Sequence, residues 1–348
     1  MGEKPEICSK WRVKRVAGAL MLLAVLVLVS AASITVGSEH IPLQSQIKVL
    51  SAHLFGSDIP QELSVQDTII WQMRLPRTIL AVLVGVLLAA AGAALQGLLR
   101  NPLADPYTVG VSSGAALGAS VAFTLGLSYW VWGFGIPAAA FMCACAAMFI
   151  VYSLARFAGS VSVHSFLLAG IVVGSFLWAA LTFVLSIAGK DAGTIIRWLL
   201  GSFAVDNPWS YALMVLPFAV LGLAVLYAMS RDLNVYALGE DTARHLGIET
   251  ESLKIVIIVT TSLITAAAVS VSGIIGFVGL MVPHIARKMF GPDHRVLLPM
   301  SALTGAALMV TADTAARMLG ELPVGVITAL LGAPFFLFLL RSRKSMER

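Results

Sequence analysis

The chain is 348 residues long, carries a formal net charge of +5, and combines 59% hydrophobic with only 12% charged residues at a mean hydropathy of +0.92. That balance excludes a soluble globule, whose surface would need far more polar residues; with repeated apolar runs of roughly eighteen or more it is the composition of a polytopic helical membrane protein. Cys8, Cys143 and Cys145 supply no disulfide framework and no paired metal-ligand spacing, and the latter two read as small packing residues inside an apolar run.

Lys10, Arg12, Lys14 and Arg15 precede the apolar run 16–29 and then Ser30-Ala31-Ala32, the pattern of a signal peptide. Because the remainder is itself membrane-embedded, a retained first span is expected. Apolar runs bounded by charges or Gly/Pro clusters give ten candidate spans, at 14–36, 71–99, 107–127, 132–155, 164–188, 209–229, 253–272, 276–290, 296–316 and 323–340. The eighth is short and glycine-rich. With the N-terminus in the cytoplasm, 17 Lys and Arg fall inside and 6 outside, namely Lys48, Arg74, Arg77, Lys190, Arg197 and Arg317. One span more or fewer would put basic loops on both faces, so both termini are expected in the cytoplasm. The longest segment between spans, 37–70, has about 34 residues, fewer than a stable domain usually needs. The chain therefore reads as one transmembrane domain, 1–348, whose function resides in the bundle or in partners.

Along the chain, Arg74 and Arg77 lie outside against the positive-inside trend, where such side chains can snorkel to head groups. Residues 101–106, Asn-Pro-Leu-Ala-Asp-Pro, form a cytoplasmic turn with two backbone angles fixed by proline. GVSSG at 110–114 matches the spacing of a hydrolase nucleophile elbow but lacks the α/β sheet that such an elbow requires. Gly110, Gly114 and Gly118 instead recur every four residues, a stripe for close helix approach. Lys190, Asp191, Asp313 and Glu321 fall near span ends, so no midplane proton relay is evident, and His164 and His284 fall at cytoplasmic span ends.

The segment 231–254 differs from its surroundings: Arg231, Asp232, Glu240, Asp241, Arg244, Glu249, Glu251 and Lys254 all fall within it. It reads as a cytoplasmic loop, 231–252, in which Asn234 caps one helical turn and Gly239 breaks it. Glu240 and Asp241 then start a second helix that Arg244 and His245 finish and Gly247 stops, charges that complement the helix dipole at both ends. About seven residues make a helix only about 10 Å long, unstable without a surface to pack on. Ala243 and Leu246 are three apart and would share a face for a cytoplasmic partner.

Several blocks carry a resemblance to the permease subunits of binding-protein-dependent ABC importers for iron chelates, haem and cobalamin, the FecCD/vitamin-B12-importer type. They are RLPRTILAVLVGVLLAAAGAALQGLLRNPLADPYTVGVSSGAALGA (74–119), FLLAGIV (166–172), ALGEDTARHLG (237–247), GIIGFVGLMVPHIAR (273–287), DHRVLLP (293–299) and ELPVGVITALLGAPFFLFLL (321–340). The resemblance implies an all-α fold of about ten transmembrane helices in the plasma membrane of a bacterium. It implies that Gly239, Glu240, Asp241, Ala243, Arg244, Leu246 and Gly247 form the element that docks on a cytoplasmic ATPase. It further implies that Arg74, Arg77 and Arg317 grip glutamates of an extracytoplasmic binding protein, a task suited to the planar guanidinium fork. Asn101 and Leu103, with Ser162 and Val163, become candidates for the inner gate. The implied assembly has two permease copies, identical or paralogous, two ATPase subunits, and a pathway lined by the fifth, eighth and tenth spans.

No Walker A pattern occurs, so ATP is expected to be bound and hydrolysed by a separate subunit, with no cofactor in this chain. Nothing indicates nucleic-acid binding, since the net charge is explained by inside loops. An ion-coupled secondary transporter is the alternative; it would carry midplane coupling groups and have no use for a docking helix. An intramembrane enzyme lacks HExxH or a Ser/His pair inside the bilayer. The cargo is not legible in a permease whose binding protein selects, and a ferric siderophore is taken on the commonness of such systems.

Overall fold

The computed structural model describes residues 4–37, 41–157 and 160–346; Arg348, counted among the basic groups above, lies outside them. The chain is helical: α1 (Lys4–Thr35), α2 (Leu43–Phe55), α3 (Ser64–Asp67), α4 (Leu75–Leu98), α5 (Val111–Thr124), α6 (Gly135–Ala155), α7 (Val163–Ile187), α8 (Ala192–Leu199), α9 (Pro208–Ala228), α10 (Ser230–Tyr236), α11 (Glu240–His245), α12 (Thr250–Ser272), α13 (Val278–Phe290), α14 (His294–Met318) and α15 (Val324–Met346). A two-residue antiparallel ladder pairs Arg156 with Val161 and Phe157 with Ser160 between α6 and α7. Each of the ten expected apolar segments contains a helix, and the long helices alternate between a basic end, which carries α10 and α11, and a far end, which carries α2 and α8.

Among the described residues seven helices are long and apolar enough to cross a membrane, and α5 and α13 are shorter. At 13 residues α13 covers only about 20 Å. The eighth expected span is therefore a half-length helix entered through non-helical backbone at 273–277, not a continuous crossing. Non-helical backbone at membrane depth needs internal hydrogen-bond partners. Tyr107 supplies them: its hydroxyl donates to the Ile275 carbonyl (2.9 Å) and accepts from the Ile275 N–H (3.2 Å), while Ser272 Oγ donates to the Gly273 carbonyl (3.2 Å). Phe277 follows in the left-handed region at φ +69°, a costly place for an aromatic residue, with its ring against Gly332, where a methyl group could not fit.

The core is built around α4, buried on nearly every side from Leu87 to Leu98 and contacted by α9, α12, α13 and α14. Its small residues allow this: a methyl at Gly92 would run into the Gly279 carbonyl of α13, and one at Gly85 into the Gly305 carbonyl of α14. By contrast α7 leaves Leu168, Ile171, Val172, Phe176, Phe183 and Ile187 exposed along its length. The segment 37–70, read from the sequence only as a loop, holds α2, α3 and a π-helical stretch, Thr68–Arg74, that runs into α4. The far-end loop before α9 holds α8, which the hydropathy pattern did not indicate.

Candidate functional site

The basic end is organised by one buried cation. Lys254 sits at the start of the second turn of α12 and is only 3% exposed, a position a lysine tolerates only when its charge is matched. Its ammonium reaches Glu240 Oε1 at 3.0 Å and pairs with Glu251 one turn earlier. Glu240 also accepts from Arg244 Nη2 (2.7 Å) and from the Tyr236 hydroxyl (3.2 Å), while Arg244 Nε donates to Thr250 Oγ1 (2.9 Å). Burial alone would raise the Glu240 carboxyl, but the Lys254 hydrogen bond and charge, helped by Arg244 and Tyr236, outweigh it and hold the group below the usual carboxylate range. Tyr236 moves the other way: burial first, then the Glu240 charge, push its phenol up to about 12. The six-residue α11 is thereby fastened to α12.

A second fastening ties α10 to α14. Asn234 Nδ2 donates to Asp293 Oδ1 (2.8 Å), and Asn234 Oδ1 lies 2.8 Å from the His294 N–H and 2.7 Å from its Nδ1. Asn234 is thus inside α10 and bridges to a neighbouring helix, where the sequence had suggested a helix cap. His294 and Leu233 both lie against Gly97, so α10, α14 and the end of α4 meet at a glycine.

The expected helix limits hold: Gly239 (φ +136°) precedes α11 and Gly247 (φ +83°) follows it, with Glu240 and Asp241 in the first turn and Arg244 and His245 in the last. The expected gripping face does not form. Ala243 is fully buried against its own chain, while Leu246 is 63% exposed, because α11 uses its Ala243 side to pack on α12. The second exposed apolar group of this surface is Leu238, at 72%. The signal for it in the sequence is an apolar residue within a charged loop, just before the glycine that opens α11.

From this corner a polar knot leads to the turn at 99–105. Pro283 has no N–H, so the Gly279 carbonyl one turn earlier in α13 loses its helical donor. Gln96 of α4 supplies one: its buried Nε2 lies 3.4 Å from the Gly279 oxygen, 3.2 Å from that of Leu280 and 3.5 Å from that of Ala104, and its Oε1 accepts from Arg287 Nη2 at 3.0 Å. In the turn, Asn101 Oδ1 accepts from the Leu103 N–H (2.9 Å) and Leu103 projects outward. Asp105 caps the following 3-10 turn through the Tyr107 N–H (3.0 Å); burial pushes its carboxyl up to about 6 despite that bond. Ser162 is exposed just before α7, and Val163 opens that helix against the core. The two pairs of gate candidates thus stand on separate turns of the basic end.

At the far end the three predicted docking arginines are engaged within the chain. Arg74 is buried and donates to the carbonyls of Ile34 and Thr35, closing the end of α1. Arg317 donates to the Val36 and Ser33 carbonyls and lies 3.4 Å from Asp313. Arg77 clasps the buried Asp313 through Nε (3.0 Å) and Nη2 (2.9 Å), and its Nη1 meets Glu321 Oε2 at 3.0 Å. The fold pairs these guanidinium groups because arginines buried here need carbonyls and carboxylates to replace water. Lys48, Lys190 and Arg197 are the exposed cations of this end with no ion pair among the described residues. Between Leu199, Leu200, Ile274, Gly325, Val326, Ala329 and Leu330 an open apolar cleft of about 370 Å³ follows the backbone break before α13. Of the expected lining it includes the tenth segment, together with Ile274 from the break between the seventh and eighth and with Leu199 of the unforeseen α8. No cluster of metal-ligating side chains occurs among the described residues.

These features coincide with a known architecture. The FecCD transport family profile matches residues 22–342. The ABC transporter permease protein YvrB of Bacillus subtilis is 45% identical over 88% of this chain and 88% of its own length. The cobalamin import system permease protein BtuC of Halobacterium salinarum is 44% identical, covering 94% of this chain and 88% of its own. A metal-chelate type ABC transporter solved in an inward-facing conformation superposes with a TM-score of 0.79 at 31% identity, over 94% of this chain and 99% of the other. By the profile match over most of its length and these relatives, the chain belongs to the FecCD transport family.

Proposed function

We propose that the chain is the membrane permease subunit of an ABC importer for metal chelates of the ferric-siderophore, haem and cobalamin class. The carrying observation is the pair α10–α11: helices too short to persist alone, fastened to α12 and α14 by Lys254 and Asn234, with Leu238 and Leu246 left exposed. That surface suits a cytoplasmic ATPase, and the basic end is accordingly the cytoplasmic one.

Closure of two ATPase subunits on ATP displaces α10–α11, and the fastenings make α12, α14 and α4 move with them. Gln96 carries the displacement to the turn of Asn101 and Leu103, which with Ser162 and Val163 of each copy forms the inner gate. The exposed face of α7 packs against a second permease copy, and the apolar cleft beside α8 and α15 opens onto the path between copies. Alternating access follows because nucleotide and loaded binding protein favour different states of this pair.

Uptake into proteoliposomes holding this chain, its ATPase and its binding protein tests the reading, with ferric siderophore, haem and cobalamin offered separately. ATP-dependent accumulation of one of them, abolished when 239–247 is replaced by a Gly/Ser linker, is expected. Accumulation driven by an ion gradient without the ATPase would overturn it.

A further inference from the structure

The far-end ion network contains two carboxylates of unlike standing. Asp313 is 1% exposed and holds Arg77 and Arg317 together from within the bundle. Glu321 is 58% exposed and touches the network through one contact, on Arg77 Nη1. It reaches there from the turn between α14 and α15, where Gly320 and Glu321 both occupy the left-handed region, at φ +90° and +60°. A non-glycine residue held in that region is strained. The ion pair it makes in return is solvent-accessible, and such pairs contribute little to stability. Asp313 is thus a permanent partner of Arg77 and Glu321 an exchangeable one.

We infer that Glu321 is a self-occupying latch: it fills, on Arg77 Nη1, the place taken by a carboxylate of the docking protein. This rests on the reading of the far end as the binding-protein face, and it explains how a docking arginine can be fully paired in the resting chain. Buried Asp313 keeps the guanidinium oriented while the outer edge changes partner. The incoming group is an Asp or Glu side chain on a protein surface, since the edge it replaces is already satisfied by a carboxylate. Docking then releases the 319–323 turn, which leads directly into α15 beside the cleft, so occupancy outside is felt at the pathway.

The test measures binding of the purified binding protein that supports uptake to the full-length permease with its ATPase in nanodiscs. Glu321→Gln removes the competing charge at an exposed site and is expected to tighten docking roughly two- to fivefold, the scale of an exposed ion pair. Arg77→Lys, which keeps the charge beside Asp313 but loses the fork, is expected to weaken docking and to erase the gain from Glu321→Gln in the double variant. If Arg77→Lys weakens docking but Glu321→Gln leaves it unchanged or weaker, the latch is wrong and the docking face stands. If neither matters while Lys190→Ala or Arg197→Ala weakens docking, the Arg77 face itself is wrong and the latch falls with it.

Discussion

Lys254 lies 3.0 Å from Glu240 across the gap between α12 and α11, and this buried cation is what holds a six-residue helix in place. Lys254→Met keeps the stem and removes the charge, leaving Glu240 and Glu251 to share the more exposed Arg244. Both carboxylates retain some contact with water, so a loss of about 1–3 kcal/mol in stability is expected. The larger effect is functional: ATP hydrolysis in the assembled importer should continue while uptake falls at least severalfold. A variant that transports normally would show that the fastening is not part of the transmission.

Leu238 and Leu246 touch little of their own chain, so Leu238→Ser and Leu246→Ser should leave the melting temperature of the isolated permease unchanged. Removing exposed apolar anchors from an interface commonly costs about 1–2 kcal/mol each. Roughly tenfold weaker capture of the ATPase is therefore expected for each change, read by co-purification or a titration in detergent.

Gln96→Leu preserves bulk but leaves the Gly279 carbonyl, already deprived of a donor by Pro283, and the Ala104 carbonyl without Nε2. A buried acceptor left unsatisfied costs about 1–3 kcal/mol, visible as a lower melting temperature in a thermal-shift series. Gln96→Glu should not rescue it, because a carboxylate cannot donate to those carbonyls.

Asp105 provides a pH signature. Its folded value, about 6, lies above the ordinary aspartate value near 3.8. The folded state therefore binds the proton more tightly than the unfolded one, and the stability this brings is fully present below that lower value and lost as pH rises through about 6. Asp105→Asn keeps an oxygen for the Tyr107 N–H and carries no charge. Its melting temperature should match the parent near pH 4, exceed it progressively up to about pH 6, and hold a constant margin beyond; equal melting at pH 8 would show that the carboxylate is not penalised by burial.

Hydropathy was enough to place the ten apolar segments, because burial in a bilayer demands long apolar runs, and the charge pattern located α11 between Gly239 and Gly247, because local dipole and turn chemistry set those limits. The blocks from Arg74 to Leu340 were also enough to identify the family resemblance. Tertiary structure alone decided the rest. That α13 is half a crossing depends on Tyr107 and Gln96 satisfying backbone from distant helices. That Ala243 faces inward, that Asn234 bridges to His294, and that Arg77 is claimed by Asp313 and Glu321 are matters of which side chains come together across 60 to 244 residues of chain or around a helix axis. A linear pattern records which residues are polar; which of them spend their hydrogen bonds on one another and which remain free for a partner is set by packing.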